Sequence, residues 1–95
     1  METPEDMGCH VTKINDKQPS LEDCYEMLEC KMIEVLTLDG GKTQIVIDEE
    51  GKLKGKPINW KATAEWYKHL DDYAVLNFDV LVGGVLILTG DARLT

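Results

Sequence analysis

Met32-Ile33-Glu34-Val35-Leu36-Thr37-Leu38 and Lys42-Thr43-Gln44-Ile45-Val46-Ile47-Asp48 form two apolar arms about Asp39-Gly40-Gly41. Both arms are rich in Ile, Val, Leu and Thr, side chains that suit a pleated, half-buried surface. The glycines take the positive φ that a tight reversal needs, so residues 32–48 predict an antiparallel hairpin.

Beyond the hairpin, Glu49-Glu50-Gly51 reads as a second turn, and Leu53 starts a short third strand or an extended loop ending at Pro57. Asn59 is a natural cap for a helix over Trp60 to Leu70. Ala62, Trp66 and Leu70 recur at every fourth position and face a core, while Lys61, Glu65 and Lys68 pair on the wet side. Asp71-Asp72 closes that helix. Leu76 to Val82 and Val85 to Thr89 read as strands flanking Gly83-Gly84.

Before the hairpin, Ser20 caps a short amphipathic helix with Glu22 and Asp23 in its favourable first turn. Leu21, Cys24, Tyr25 and Leu28 face inwards, and Glu22, Glu26 and Glu29 lie opposite at i, i+4, i+7. His10 to Ile14 alternates weakly as a first strand, and Asn15 to Pro19 is loop chemistry. The order β-α-β-β-α-β-β predicts an α+β fold: a mostly antiparallel sheet of four to five strands with two helices on one face. Residues 1–9 read as a mobile acidic tail and 10–95 as one domain, since 95 residues suffice for a single small core.

Eighteen acidic and ten basic side chains leave a net charge of −8. Residues 1–41 carry −7, residues 42–70 carry +2 and residues 71–95 carry −3. An acidic surface repels phosphate backbones, so direct nucleic-acid binding is not expected. Cys9, Cys24 and Cys30 are odd in number and form no CxxC pair, and the first residues are acidic rather than leader-like. A reducing cytoplasm is the expected compartment. The longest apolar run, Val80 to Leu88, falls far short of the roughly 20 residues that span a bilayer.

No catalytic constellation stands out, and a non-enzymatic role without metal or cofactor is expected. Ser20 is the only serine and serves as a cap. Cys9-His10 are adjacent but sit beside the tail, and Cys24 belongs to an apolar stripe. His69-Leu70-Asp71-Asp72 lacks the ligand spacing of a zinc or calcium site. Gly83-Gly84 lacks the lysine and helix of a phosphate loop.

The segment Asp48-Glu49-Glu50-Gly51-Lys52-Leu53, with Gly55, Pro57, Asn59 and Ala62-Thr63, resembles a family of bacteriophages, plasmids and large viruses catalogued as domain of unknown function 3846. Val82-Gly83-Gly84-Val85-Leu86-Ile87-Leu88 is similar to that family's closing segment. The likeness covers residues 10–90. The family commonly has a glycine pair where this chain has Glu29-Cys30-Lys31, and an aspartate where it has Val85. The resemblance implies a mobile-element origin and assigns no catalytic residue. Read from the residues themselves, Gly51 and Gly55 serve turns, Pro57 blocks backward helix extension and Asn59 caps.

Two surfaces follow as expectations. The first is a protein-binding surface for a host protein, with Glu22, Glu26 and Glu29 imitating spaced phosphates and Trp60 as an anchor. A counter-defence role, such as blocking a host nuclease, fits that surface. The second is a site for an anionic, nucleotide-like ligand, with Lys52, Lys54 and Lys56 aligned along an extended segment beside Asn59 and Thr63. Self-association into a homodimer is also expected, because a small core gains from further apolar burial.

Overall fold

A computed structural model of the protein describes residues 9–70 and 79–94. Four strands form one sheet: β1 (Val11–Ile14), β2 (Ile33–Leu38), β3 (Thr43–Asp48) and β4 (Val85–Thr89). Helix α1 (Leu21–Leu28) follows β1, and α2 (Trp60–Tyr67) lies between β3 and β4. The fold is α+β, with sheet order β1-β4-β3-β2.

The predicted hairpin forms with Ile33 opposite Asp48 and Leu38 opposite Thr43. Its reversal is a 3-10 turn over Asp39–Gly41 in which three successive residues have positive φ (55°, 66° and 98°). Glycine at two of those three positions removes most of the steric cost. Ser20 caps α1 as predicted, within a reciprocal capping box. Its Oγ accepts from the Asp23 N–H at 3.0 Å, and Asp23 Oδ2 accepts from the Ser20 N–H at 3.2 Å. Helix α2 starts on its Asn59 cap and stops at Tyr67, with residues 69 and 70 continuing in tighter i→i−3 bonds.

The sheet is mixed rather than mostly antiparallel, because β1 runs parallel to β4, Val11 beside Val85. The helices cover opposite faces of the sheet, not one. Cys24 and Leu28 of α1 pack on Val46, Leu86 and Leu88. On the other side Ala62, Trp66 and Leu70 pack with Ile45, Val85 and Ile87. Residues alternate sides along a strand, so β3 and β4 are apolar at successive positions because both their faces are covered. Leu21, expected in the core, is exposed, since the α1 stripe that meets the sheet is only Cys24 and Leu28 wide with Met27 at its margin.

Residues 49–55 form consecutive turns rather than a third strand. Of the strand expected over Leu76 to Val82, residues 76–78 lie outside the described residues. Residues 79–82 are extended, and Val82 makes a single bridge to Ile58. The tail over residues 1–8 and the Asp71-Asp72 helix stop also lie outside the described residues. Cys9, assigned to that tail, is instead buried against the chain at Pro57 and Ile58.

Candidate functional site

Pairing places the starts of β1, β2 and β4, the end of β3, the end of α1 and the start of α2 at one end of the sheet. The segment 48–63 gathers there, in two polar knots. The first centres on Asp48, whose side chain is 1% exposed. One carboxylate oxygen accepts from Lys54 Nζ at 2.9 Å and Lys56 Nζ at 2.8 Å, and the other accepts from the Glu50 N–H at 2.9 Å. Lys56 Nζ also donates to the Leu28 carbonyl at 2.8 Å, which ties the last turn of α1 to the turns after β3. Burial pushes the Asp48 pKa up, but the bonds from Lys56, Lys54 and Glu50 outweigh it and hold the carboxyl below the usual range.

The second knot centres on Asn59, 1% exposed. Its Oδ1 accepts from the Ala62 N–H at 3.0 Å, and its Nδ2 donates to the Gly83 carbonyl at 2.8 Å and the His10 carbonyl at 3.1 Å. Thr63 Oγ1 donates to the Asn59 carbonyl at 2.8 Å and accepts from the Leu81 N–H at 3.0 Å. Two side chains thus bind β1, the turn before β4 and α2 into one body. Gly83 has φ +70°, and a Cβ there would stand 2.8 Å from the Lys56 stem, so glycine links the two knots.

The predicted lysine row does not form, because the turns over residues 49–55 break the extended backbone and all three lysines are engaged with carboxylates of the same chain. Lys52 pairs with Asp79, while Lys54 and Lys56 pair with Asp48. Asn59 and Thr63 lie buried with their polar atoms bonded inside the protein. The sequence signal for this pairing was the run Asp48-Glu49-Glu50 directly ahead of the lysines. An acidic turn and a basic one so close together are partners before they are surfaces.

Cys9 and His10 are directed at different partners. The Cys9 thiol donates to the carbonyls of Pro57 (3.5 Å) and Ile58 (3.7 Å), and the His10 ring lies over Gly84. Burial pushes the Cys24 and Cys30 thiols up, away from the reactive thiolate. His69 Nδ1 pairs with Asp39 at 2.7 Å, joining the hairpin turn to the end of α2. Among the described residues no three His, Cys, Asp or Glu side chains gather as a metal site would require. No helix among them is long and apolar enough to cross a membrane.

The acidic stripe is presented as expected. Glu22, Glu26 and Glu29 are exposed on the outer side of α1, and no ion pair among the described residues involves them. Seven residues at 1.5 Å rise set its ends about 10 Å apart along the helix. Glu29 is the C-cap, with left-handed φ 51° and ψ 54°. That is the conformation glycine favours. Trp60 is 66% exposed at the start of α2. It lies in the layer opposite α1, so the structure does not bring it into one surface with the glutamates.

No curated protein and no solved structure matches the chain. The model of the family described as domain of unknown function (DUF3846) matches residues 3–93. The chain therefore belongs to the DUF3846 family.

Proposed function

We propose that the protein is a non-enzymatic binding module whose working surface is the outer side of α1, engaging a basic surface on another protein. The observation that carries this reading is the contrast between the two charge sets. Among the described residues six of the ten basic side chains are engaged within the chain: Lys13, Lys52, Lys54, Lys56 and Lys68 with carboxylates, and Arg93 with the Gly41 and Gly90 carbonyls, while Lys17, Lys31, Lys42 and Lys61 make no such pair and form no row. Glu22, Glu26 and Glu29 are left exposed on a helix fixed to the sheet by Cys24 and Leu28. Such a row gives orientation and fast, salt-sensitive encounter with a cationic partner. A groove that normally holds a phosphate backbone has the matching chemistry. In a mobile-element protein this makes a host nuclease or immune protein the proposed target, and counter-defence the proposed role.

Carbodiimide coupling, which joins carboxylates to lysines in direct contact, tests the reading on complexes recovered from a host lysate. The expected cross-links start at Glu22, Glu26 and Glu29. Cross-links confined to Glu34, Glu49 or Asp91, with none from α1, would contradict it.

A further inference from the structure

β1 is an edge of the sheet, and among the described residues β4 is the one strand that pairs with it. The His10 carbonyl accepts from the Val85 N–H at 3.0 Å, so by alternation Thr12 addresses β4 while Val11 and Lys13 direct their N–H and C=O groups outwards. A groove of about 590 Å³ runs beside this edge, between Val11 and Lys13 of β1 and Lys61, Ala64 and Glu65 of α2. It is floored by small and apolar side chains and carries both signs of charge, on a chain of net charge −8. Most of the surface of such a chain repels a second copy, whereas this strip offers both signs: Lys13 and Lys61 stand beside Glu65, with which Lys13 makes a loose pair of 3.7 Å within its own chain.

We propose that a second copy of this chain docks here, β1 against β1, antiparallel about a twofold axis through Thr12. In that register Val11 faces Lys13 of the other copy. The two outward N–H and two outward C=O groups of each strand then meet their counterparts, making four hydrogen bonds. Each Lys13 exchanges the Glu65 of its own chain for the Glu65 that lines the other copy's groove, and Thr12 sits opposite its twin as a cross-strand pair. The result is a continuous eight-stranded sheet flanked by two antiparallel α2 helices. The dimer leaves α1 uncovered and is independent of the function proposed for it.

Analytical ultracentrifugation of the full chain over micromolar to hundreds of micromolar concentrations provides the test. The expected mass rises towards twice the 10.7 kDa of one chain. Val11→Pro removes an outward donor while sparing the β4 ladder, and weakens dimerisation at least about tenfold with the fold intact by circular dichroism. Lys13→Glu and Glu65→Lys each weaken it alone, and mixing the two single variants restores it, because the mixture rebuilds the pairs between copies while the pair within each chain stays broken; this keeps the proposal testable if the proline variant does not fold. A single-chain mass at every concentration overturns the proposal. So does a dimer indifferent to Val11→Pro and to the charge swap. Val11 and Lys13 amides protected from hydrogen exchange in a monomer overturn it too, because another segment of the chain then holds the edge.

Discussion

Asn59 meets three chain segments with one amide: it caps α2 through Oδ1 and ties the Gly83 and His10 carbonyls through Nδ2. Aspartate is normally as good an N-cap as asparagine. Here it has no donor for the two carbonyls and sets a buried negative charge beside them. Asn59→Asp is therefore expected to cost more than Asn59→Ala, each by more than the ~1 kcal/mol of a lost cap, as measured by urea unfolding. Glu29 gives the opposite sign. Its left-handed backbone relaxes when the side chain is removed, so Glu29→Gly is expected to stabilise the protein by about 0.5–1 kcal/mol in the same measurement. The chain keeps a strained glutamate where glycine folds better, which is consistent with a use for that carboxylate outside folding.

At the scale of elements, the turns after β3 are held by a buried ion cluster, and its removal has a direction. Asp48→Ala leaves Lys54 and Lys56 without their buried partner, and a loss of about 3 kcal/mol is expected by urea unfolding. Asp39, Asp79 and Glu65 are also held below the usual carboxylate range, by hydrogen bonds from His69, Lys52 and Lys68 respectively. A carboxyl depressed in the fold contributes stability that is complete above its unfolded value, roughly 4, and lost as pH falls through the folded value. Thermal stability is accordingly expected to drop below about pH 4, and the Asp48→Asn variant to show a shallower acid limb.

The same scale explains what could be read in advance. The hairpin and the Ser20 and Asn59 caps were legible because turn glycines and capping side chains act within a few residues. The parallel pairing of β1 with β4 spans more than seventy positions and leaves no local mark. The opposed helices did leave one. Val85-Leu86-Ile87-Leu88 is apolar at every position, whereas a strand with one wet face alternates. Lys52, Lys54 and Lys56 looked aligned only on the assumption of an extended backbone, which Gly51 and Gly55 break into turns. Glu22 and Glu26 were legible because helical spacing places them, whereas Glu29 lies past the last helical residue in a left-handed cap, and the separation of the row from Trp60 depends on which face each helix covers.

Over the whole molecule the net charge is −8, and α1 with its C-cap carries three glutamates in a row that no ion pair among the described residues neutralises. Like charges at Glu22 and Glu26, i and i+4, cost the helix a few tenths of a kcal/mol. Neutralising Glu22 forfeits its favourable place in the first turn, while neutralising Glu26 and Glu29 relieves acids at the C-terminal end, so removing the row should change stability by only about a few tenths of a kcal/mol, which separates a binding defect from a folding one. The most direct test compares quantitative capture of host proteins by the wild-type chain and by the Glu22→Gln, Glu26→Gln, Glu29→Gln triple variant, at low and high salt. The expected result is a variant with a closely similar melting temperature that loses the salt-sensitive partners retained by the wild type. Capture of the same proteins in the same amounts by both chains would contradict the account.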